Sequence, residues 1–170
     1  MLNEKVRDLL NDQINKELYS AYLYLDFADY YQEMGLDGFA NWYNVQMQEE
    51  TAHAMLMLKY LQNNGEKVTL EAIAKPDKVL DDKLKVLEYG LEHEKYVTSL
   101  IHNIYKAAYE IRDYRTMQFL DRFVKEQPEE ETNAETMIQK MNLIGEDAKG
   151  LYMLNSELLT RTFNPPSLVL

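Results

Sequence analysis

Glutamate interrupts the apolar pattern of this chain at four places, Glu17, Glu50, Glu94 and Glu130, each near the middle of a helical stretch. At spacings of three and four, the first stretch shows Val6, Leu10, Gln13, Glu17, Ala21, Tyr24, Ala28 and Tyr31 on one face. The second shows Phe39, Tyr43, Gln46, Glu50, His53, Met57 and Tyr60. The third shows Leu84, Leu87, Leu91, Glu94, Thr98, Ile101, Tyr105 and Ala108, and the fourth Leu120, Val124, Gln127, Glu130, Ala134, Ile138 and Met141. An ionised carboxylate in a dry core costs several kcal/mol unless paired, and four would repel one another. These faces carry no Lys or Arg near the breaks. Two divalent cations would balance four carboxylates, and His53, three residues after Glu50, adds a nitrogen on the same helical face. Carboxylates with one imidazole suit iron or manganese better than a structural zinc, which prefers Cys and His.

Each residue taken alone has a blander account. A single Glu in a helical stripe is ordinarily a boundary residue with its tip in water, and Glu-x-x-His recurs by chance. The weight rests on four breaks at matched depth, because mid-helix positions meet at a bundle's mid-plane whichever way each helix points. His93 and His102 read as structural or exposed; His93 lies beside Glu94, about 100° away around the helix.

The elements that must carry these residues are long helices. The first runs from about Asn3 to about Glu33 and breaks at Met34-Gly35-Leu36-Asp37-Gly38. Asp37 or Gly38 starts the second, which continues to about Asn64 and stops at Gly65. The third starts near Asp81 or Asp82 and ends near Ile111; Asp113 caps a fourth that runs to about Ile144. A shorter amphipathic helix, Leu151 to Arg161, carries Leu151, Leu154 and Leu158 and ends before Asn164-Pro165-Pro166. Gly65 to Leu80 joins the second and third helices and contains Pro76. Extended, such a segment reaches roughly 50 Å, whereas a helix the size of the second is about 40 Å long. It can cross the whole bundle and leave those helices parallel, so the expected class is an all-α four-helix bundle with one long crossover and a short fifth helix. No repeat or internal boundary is evident, which predicts a single domain.

Composition narrows the function classes. The net charge is −11, from 29 acidic and 18 basic residues, which argues against a nucleic-acid binder with a basic face. No apolar run approaches a membrane span, and MLNEKVRDLL lacks the apolar centre of a signal peptide. The absence of Cys rules out a disulfide framework, a thiolate metal site and a thiol nucleophile. These features predict a cytoplasmic protein with no nucleic-acid or membrane partner.

Around the four glutamates the sequence resembles the non-haem ferritins of bacteria and archaea, over nearly its whole length. The likeness lies in N-D-Q-I-N-K-E-L-Y-S-A-Y-L-Y around Glu17, Q-E-E-T-A-H around Glu50, E-H-E around Glu94, V-K-E-Q-P-E-E-E around Gln127, and G-L-Y in the last helix. Helix two keeps Glu50-x-x-His53, but helix four has Gln127-x-x-Glu130, an asymmetry similar to ferritins rather than bacterioferritins. Thr51 stands where bacterioferritins carry their haem-ligating Met, so no haem is expected, and the missing Cys pair argues against rubrerythrin.

The resemblance implies an iron-storage protein with ferroxidase activity, which oxidises Fe(II) with O2 or peroxide at a di-iron centre inside each subunit. Glu17, Glu50 and His53 would hold one iron, with Glu50 bridging. Glu94 and Glu130 would hold the second, with Gln127 a ligand or hydrogen-bond donor. Glu49, Glu126 and Glu129 match carboxylates that prokaryotic ferritins use for a third iron, although spacing alone equally allows a solvated acidic surface. Tyr24 matches a tyrosine that can donate an electron or bond a ligand. A hollow homo-oligomeric shell of twenty-four subunits is implied, with the last helix at its four-fold axes.

Two departures stand out. Pro128 removes a backbone donor inside the fourth helix and frees the carbonyl of Val124, which predicts a kink and altered geometry at the second iron. Animal ferritins line three-fold channels with acids where this chain has Met117 and Leu120; Glu110, Asp113 and Asp121 offer a different path. The rival readings are a di-iron peroxidase or oxygenase on the same bundle and a metal-free structural bundle with its core carboxylates protonated. A DNA-binding mini-ferritin is disfavoured, because its iron ligands come from two subunits.

Overall fold

A computed structural model describes residues 2–166. Five helices follow in order: α1 (Glu4–Glu33), α2 (Asp37–Asn63), α3 (Lys83–Glu110), α4 (Tyr114–Ile144) and α5 (Ala148–Leu158), with no strand among the described residues. None of the helices is long and apolar enough to cross a membrane, among the described residues. Their starts follow side-chain chemistry: Asn3, Asp82, Asp113 and Asp147 each accept from a backbone amide of the first turn and satisfy one of its orphan donors. Gly35, Gly65 and Gly145 follow α1, α2 and α4 with φ of 71°, 76° and 58°, a left-handed backbone that halts a helix.

Two apolar clusters reveal the topology. One joins Val6, Leu10 and Ile14 of α1, Met57 and Leu61 of α2, Ile101 and Ile104 of α3, and Leu120 and Phe123 of α4. The other joins Phe27 and Tyr31 late in α1, Phe39 and Tyr43 early in α2, Val86 and Leu87 early in α3, and Met137 and Met141 late in α4. The start of α1 therefore meets the end of α2, and the ends of α2 and α3 share one pole. Helices α2 and α3 run parallel, as the long crossover predicts. The crossover lies along α1, where Asn11 and Asn15 act as clamps. Asn11 Oδ1 accepts from Thr69 N at 2.8 Å, Asn15 Oδ1 accepts from Glu71 N at 2.9 Å, and both amides donate to Thr69 O at 3.1 Å. At the far pole the Tyr31 hydroxyl donates to Lys83 O at 2.6 Å.

The core face is wider than the stripes suggest. Leu84, Leu91, Thr98, Tyr105, Val124, Ala134 and Ile138 are only partly buried, while Ile14, Phe27, Val97, Ile104, Phe123 and Met137 are buried. The reason is that a helix packed on two neighbours buries an arc of 100° or so, not a single row. The fifth helix also differs from expectation. Asp147 accepts from Gly150 N at 2.8 Å and starts it at Ala148, and it ends at Leu158, so Arg161 lies outside it. Its buried residues Leu154 and Leu158 join the second cluster. Asn155 Oδ1 accepts from Gly38 N at 2.7 Å and from Phe39 N at 3.3 Å, a cap for α2 supplied from α5. Gly38 lies so close to the Asn155 carbonyl that a Cβ has no room. Pro128 sits within an unbroken α4.

Candidate metal centre

Between the two apolar clusters lies a polar layer at mid-bundle: Gln13 and Glu17 from α1, Gln46, Glu50 and His53 from α2, Glu94 from α3, Gln127 and Glu130 from α4, all buried. Ligand atoms of Glu17, Glu50 and His53 all lie within 4.8 Å of one another, the one three-ligand cluster of this kind among the described residues. His53 Nδ1 is 3.4 Å from Glu50 Oε2, and its Nε2 is 3.4 Å from Glu126 Oε2. Glu17 Oε1 accepts from Gln13 Nε2 at 2.7 Å, but its Oε2 is buried with no hydrogen-bond partner. A buried, unsatisfied carboxylate oxygen facing another acid is what a cation would complete.

Glu94 and Glu130 are held differently. Glu94 Oε1 accepts a very short hydrogen bond from the Tyr24 hydroxyl, and its Oε2 accepts from Gln127 Nε2 at 3.3 Å. Gln127 Nε2 also reaches Glu94 O at 3.3 Å and Thr98 Oγ1 at 3.2 Å. Glu130 Oε2 accepts from Gln46 Nε2 at 3.0 Å. This second group stands near the first without converging as tightly.

The electrostatics follow from burial. Desolvation holds Glu17 well above the ordinary carboxylate range, and the neighbouring Glu50 adds to it. Burial also raises Glu50 and Glu130. Glu94 is pushed up to about 7 by burial and then by Glu130. Burial would make His53 less basic, but Glu126, Glu50 and Glu17 outweigh it and raise it well above the ordinary imidazole range. Tyr24 is raised by burial and by Glu94, so it remains a neutral donor. The raised acids hold protons more tightly than free carboxylates do, and a divalent cation bound here would compete with those protons.

Of the three further acids, Glu49 and Glu126 approach this layer and Glu129 is exposed. Glu126 is lowered chiefly by its contact with His53, and Arg122 Nε lies 3.8 Å away. Glu49 Oε2 accepts from Arg161 Nη2 at 2.7 Å. Arg161 is a cation that the stripe reading does not find: it comes from beyond α5, more than a hundred residues along the chain from Glu49. Sequence periodicity carries no signal for such a contact. A local signal did exist for the amides, because Gln13 and Gln46 stand one turn before Glu17 and Glu50. His93 is half-buried with Nε2 2.7 Å from Ser20 Oγ, its basicity lowered to about 4 by burial and then by Lys78. His102 is exposed. Of the acids near the start of α4, Asp113 caps the helix, Asp121 accepts from the Tyr105 hydroxyl at 3.2 Å, and Glu110 pairs with Lys5 at 3.5 Å.

A four-helix bundle with one long crossover and buried acids around an imidazole at mid-height defines the ferritin-like class of metal-handling bundles. Residues 7–144 match the ferritin family through its ferritin-like domain. The chain is 37% identical over 164 residues to a bacterial non-heme ferritin of Staphylococcus saprophyticus, covering 96% of this chain and 98% of the relative. It is 37% identical over 153 residues to the bacterial non-heme ferritin of Campylobacter jejuni, with coverage of 90% and 92%. An open pore ferritin from the archaeon Archaeoglobus fulgidus superposes with a TM-score of 0.93 at 43% identity, over 95% of this chain and all of that one. The chain belongs to the ferritin family.

Proposed function

We propose that this chain is an iron-storage subunit that oxidises Fe(II) at its mid-bundle acids with O2 or hydrogen peroxide as electron acceptor. The observation that carries this reading is the convergence of Glu17, Glu50 and His53 on one buried point, with a Glu17 oxygen left unsatisfied. Fe(II) is the substrate. Glu17 and His53 hold the first ion, Glu50 bridges it to the second, and Glu94 and Glu130 hold the second. Gln127 donates to Glu94 and so orients it. Tyr24 fixes the other oxygen of Glu94 and stands ready as a hydrogen-bond or electron donor beside it. An oxygen-rich ligand set favours the ferric over the ferrous state, because the harder ion gains more from carboxylates.

Loading exchanges cations for protons. Acids held above their ordinary range release protons as Fe(II) arrives, so binding strengthens as pH rises. Thr51 in place of a haem-ligating Met supports a site without haem. The family resemblance supports a shell of twenty-four copies in the cytoplasm, and the open-pore relative supports assembly. One polar layer shared by four helices supports a single-domain organisation.

Anaerobic titration of the metal-free protein with Fe(II), followed by air, tests the reading through ferric absorbance. Fast oxidation of two or three irons per subunit and slower uptake of many more is the expected outcome. The doubly substituted Glu50→Ala, His53→Ala protein should lose the fast phase. Equal oxidation by both proteins, at the rate of buffer alone, would rule out the centre.

A further inference from the structure

The second group of acids, Glu94 and Glu130, borders a cavity that the first does not. It lies between α2, α3 and α4 and measures about 20 Å³, with Glu94 and Glu130 on its buried side; Glu17, Glu50 and His53 do not line it. Its walls are Leu87, Gly90, Ala134 and Met137 with the rings of Tyr24 and Tyr43. On its outer side stand Trp42 and Asn133, both partly exposed. One water-sized molecule needs roughly 10–15 Å³, so the cavity holds one small molecule and little more. The polar groups around it are already engaged. Both oxygens of Glu94 accept, from the Tyr24 hydroxyl and from Gln127 Nε2. Gln46 uses both ends of its amide: Nε2 donates to Glu130 Oε2 and Oε1 accepts from Arg161 Nη2. A water held here would compete with donors already in place. An ion would fare worse, because apolar walls offer nothing for the hydration it sheds. Dioxygen is neutral and diatomic, and it needs no hydrogen bond. The outer wall is fixed, since the Arg161 guanidinium carbon lies 3.9 Å above the Trp42 ring and Nη1 donates to Trp42 O at 3.2 Å.

We propose that this cavity is a docking site for molecular oxygen, reached from between Trp42 and Asn133, and that oxygen meets the Glu94 and Glu130 side of the layer by a path Fe(II) does not use. The inference rests on the oxidation reading above and deepens it, by naming the oxidant the cavity admits and the acids it meets. Hydrogen peroxide, with two O–H donors to satisfy, is not held there. Ala134, one turn after Glu130, and Met137, one turn further, set the width of the cavity and so decide what enters.

Oxygen is its own probe, because it is paramagnetic and speeds the relaxation of methyl groups it touches. In the metal-free protein, with its methionine methyls isotope-labelled, dissolved oxygen should relax Met137 several-fold more than Met57, which is buried in the other apolar cluster. Ala134→Leu fills the cavity from a partly exposed helix position. It should bring Met137 down to the level of Met57 and leave Zn(II) binding, read by calorimetry, unchanged. With Fe(II) supplied, the same variant should need about ten-fold more O2 for half its maximal rate, the order of effect that a change of carbons in an apolar pocket produces. Its oxidation of Fe(II) by peroxide should keep its rate, and Ala134→Ser, close in size to the original, should match the unmodified protein in both. Met137 relaxed no more than Met57 in the unmodified protein overturns the proposal whatever the iron chemistry. So does an unchanged O2 dependence in Ala134→Leu, or equal slowing with O2 and with peroxide. Strong relaxation at Met137 with no Fe(II) oxidation by the unmodified protein overturns the oxidation reading alone and leaves the cavity an oxygen site.

Discussion

The two halves of the mid-bundle polar layer both bury a pair of glutamates but stabilise them in opposite ways. Around Glu17, Glu50 and His53, ligand atoms converge and one carboxylate oxygen has no partner. Around Glu94 and Glu130, the oxygens already accept from Tyr24, Gln127 and Gln46. The first half carries an unmet desolvation cost that a cation would relieve. The second has exchanged water for neutral donors, so a cation there must compete with existing hydrogen bonds. The difference teaches that, on the proposed two-metal reading, the ions need not bind alike: the convergent half should fill first, and the hydrogen-bonded half should tune what happens next.

The largest effect expected from breaking this contrast is at Glu17. Glu17→Gln should lower affinity for the first metal by about 100-fold or more, since a ligand lost exceeds the 10–100-fold typical of supporting residues. The same change removes an acid that must take up a proton to be buried, so the metal-free protein near neutral pH should gain about 1–3 kcal/mol. Calorimetry with Zn(II) and urea unfolding check the two halves of this prediction; a less stable variant would contradict it.

Next comes pH. Glu94 at about 7 lies above its ordinary 4.5, so the folded state binds this proton more tightly than the unfolded chain. That stability is fully present below about 4.5 and is lost as pH rises through about 7. The raised Glu17 and Glu50 act in the same direction. Metal-free protein should therefore unfold at lower urea at about pH 8 than at about pH 5, and saturating Zn(II) should remove or reverse the trend. A flat profile would mean that the acids are hydrated in solution.

Tyr24→Phe removes the donor on Glu94 and leaves the convergent half intact. Oxidation should slow by about 10-fold with first-metal affinity unchanged, the pattern of a supporting residue. Stopped-flow absorbance set beside Zn(II) calorimetry separates the two quantities. The smallest effect is expected for Gln46→Leu, which leaves Glu130 without its amide donor. A few-fold weaker second metal is expected, about 1 kcal/mol for one hydrogen bond, and no effect on the first would sharpen the contrast further.

Much of this was legible in the sequence because it depends on local rules. Helix bounds followed from Asn3, Asp82 and Asp113 as caps and from Gly35, Gly65 and Gly145 as stops, each an interaction within a few residues. The mid-helix acids stood out because burying charge is costly, so their place in four apolar stripes required a reason. The fifth helix was placed too late, since Asp147 and not Leu151 sets its first turn. The partly buried Val124 and Ile138 were read as core because a stripe has no width in a one-dimensional pattern.

What the sequence determined by itself, then, was the set of helices, the crossover long enough to make two of them parallel, and the identity of the buried acids. Periodicity, capping and the cost of desolvation act along the chain and can be read there. Only the tertiary structure decided which acids converge and which are held by neutral donors, because that depends on how Tyr24, Gln46 and Gln127 cross between helices. It alone brought Asn155 to the start of α2 and Arg161 to Glu49. Those contacts join residues more than a hundred positions apart, where packing geometry, not local propensity, selects the partner.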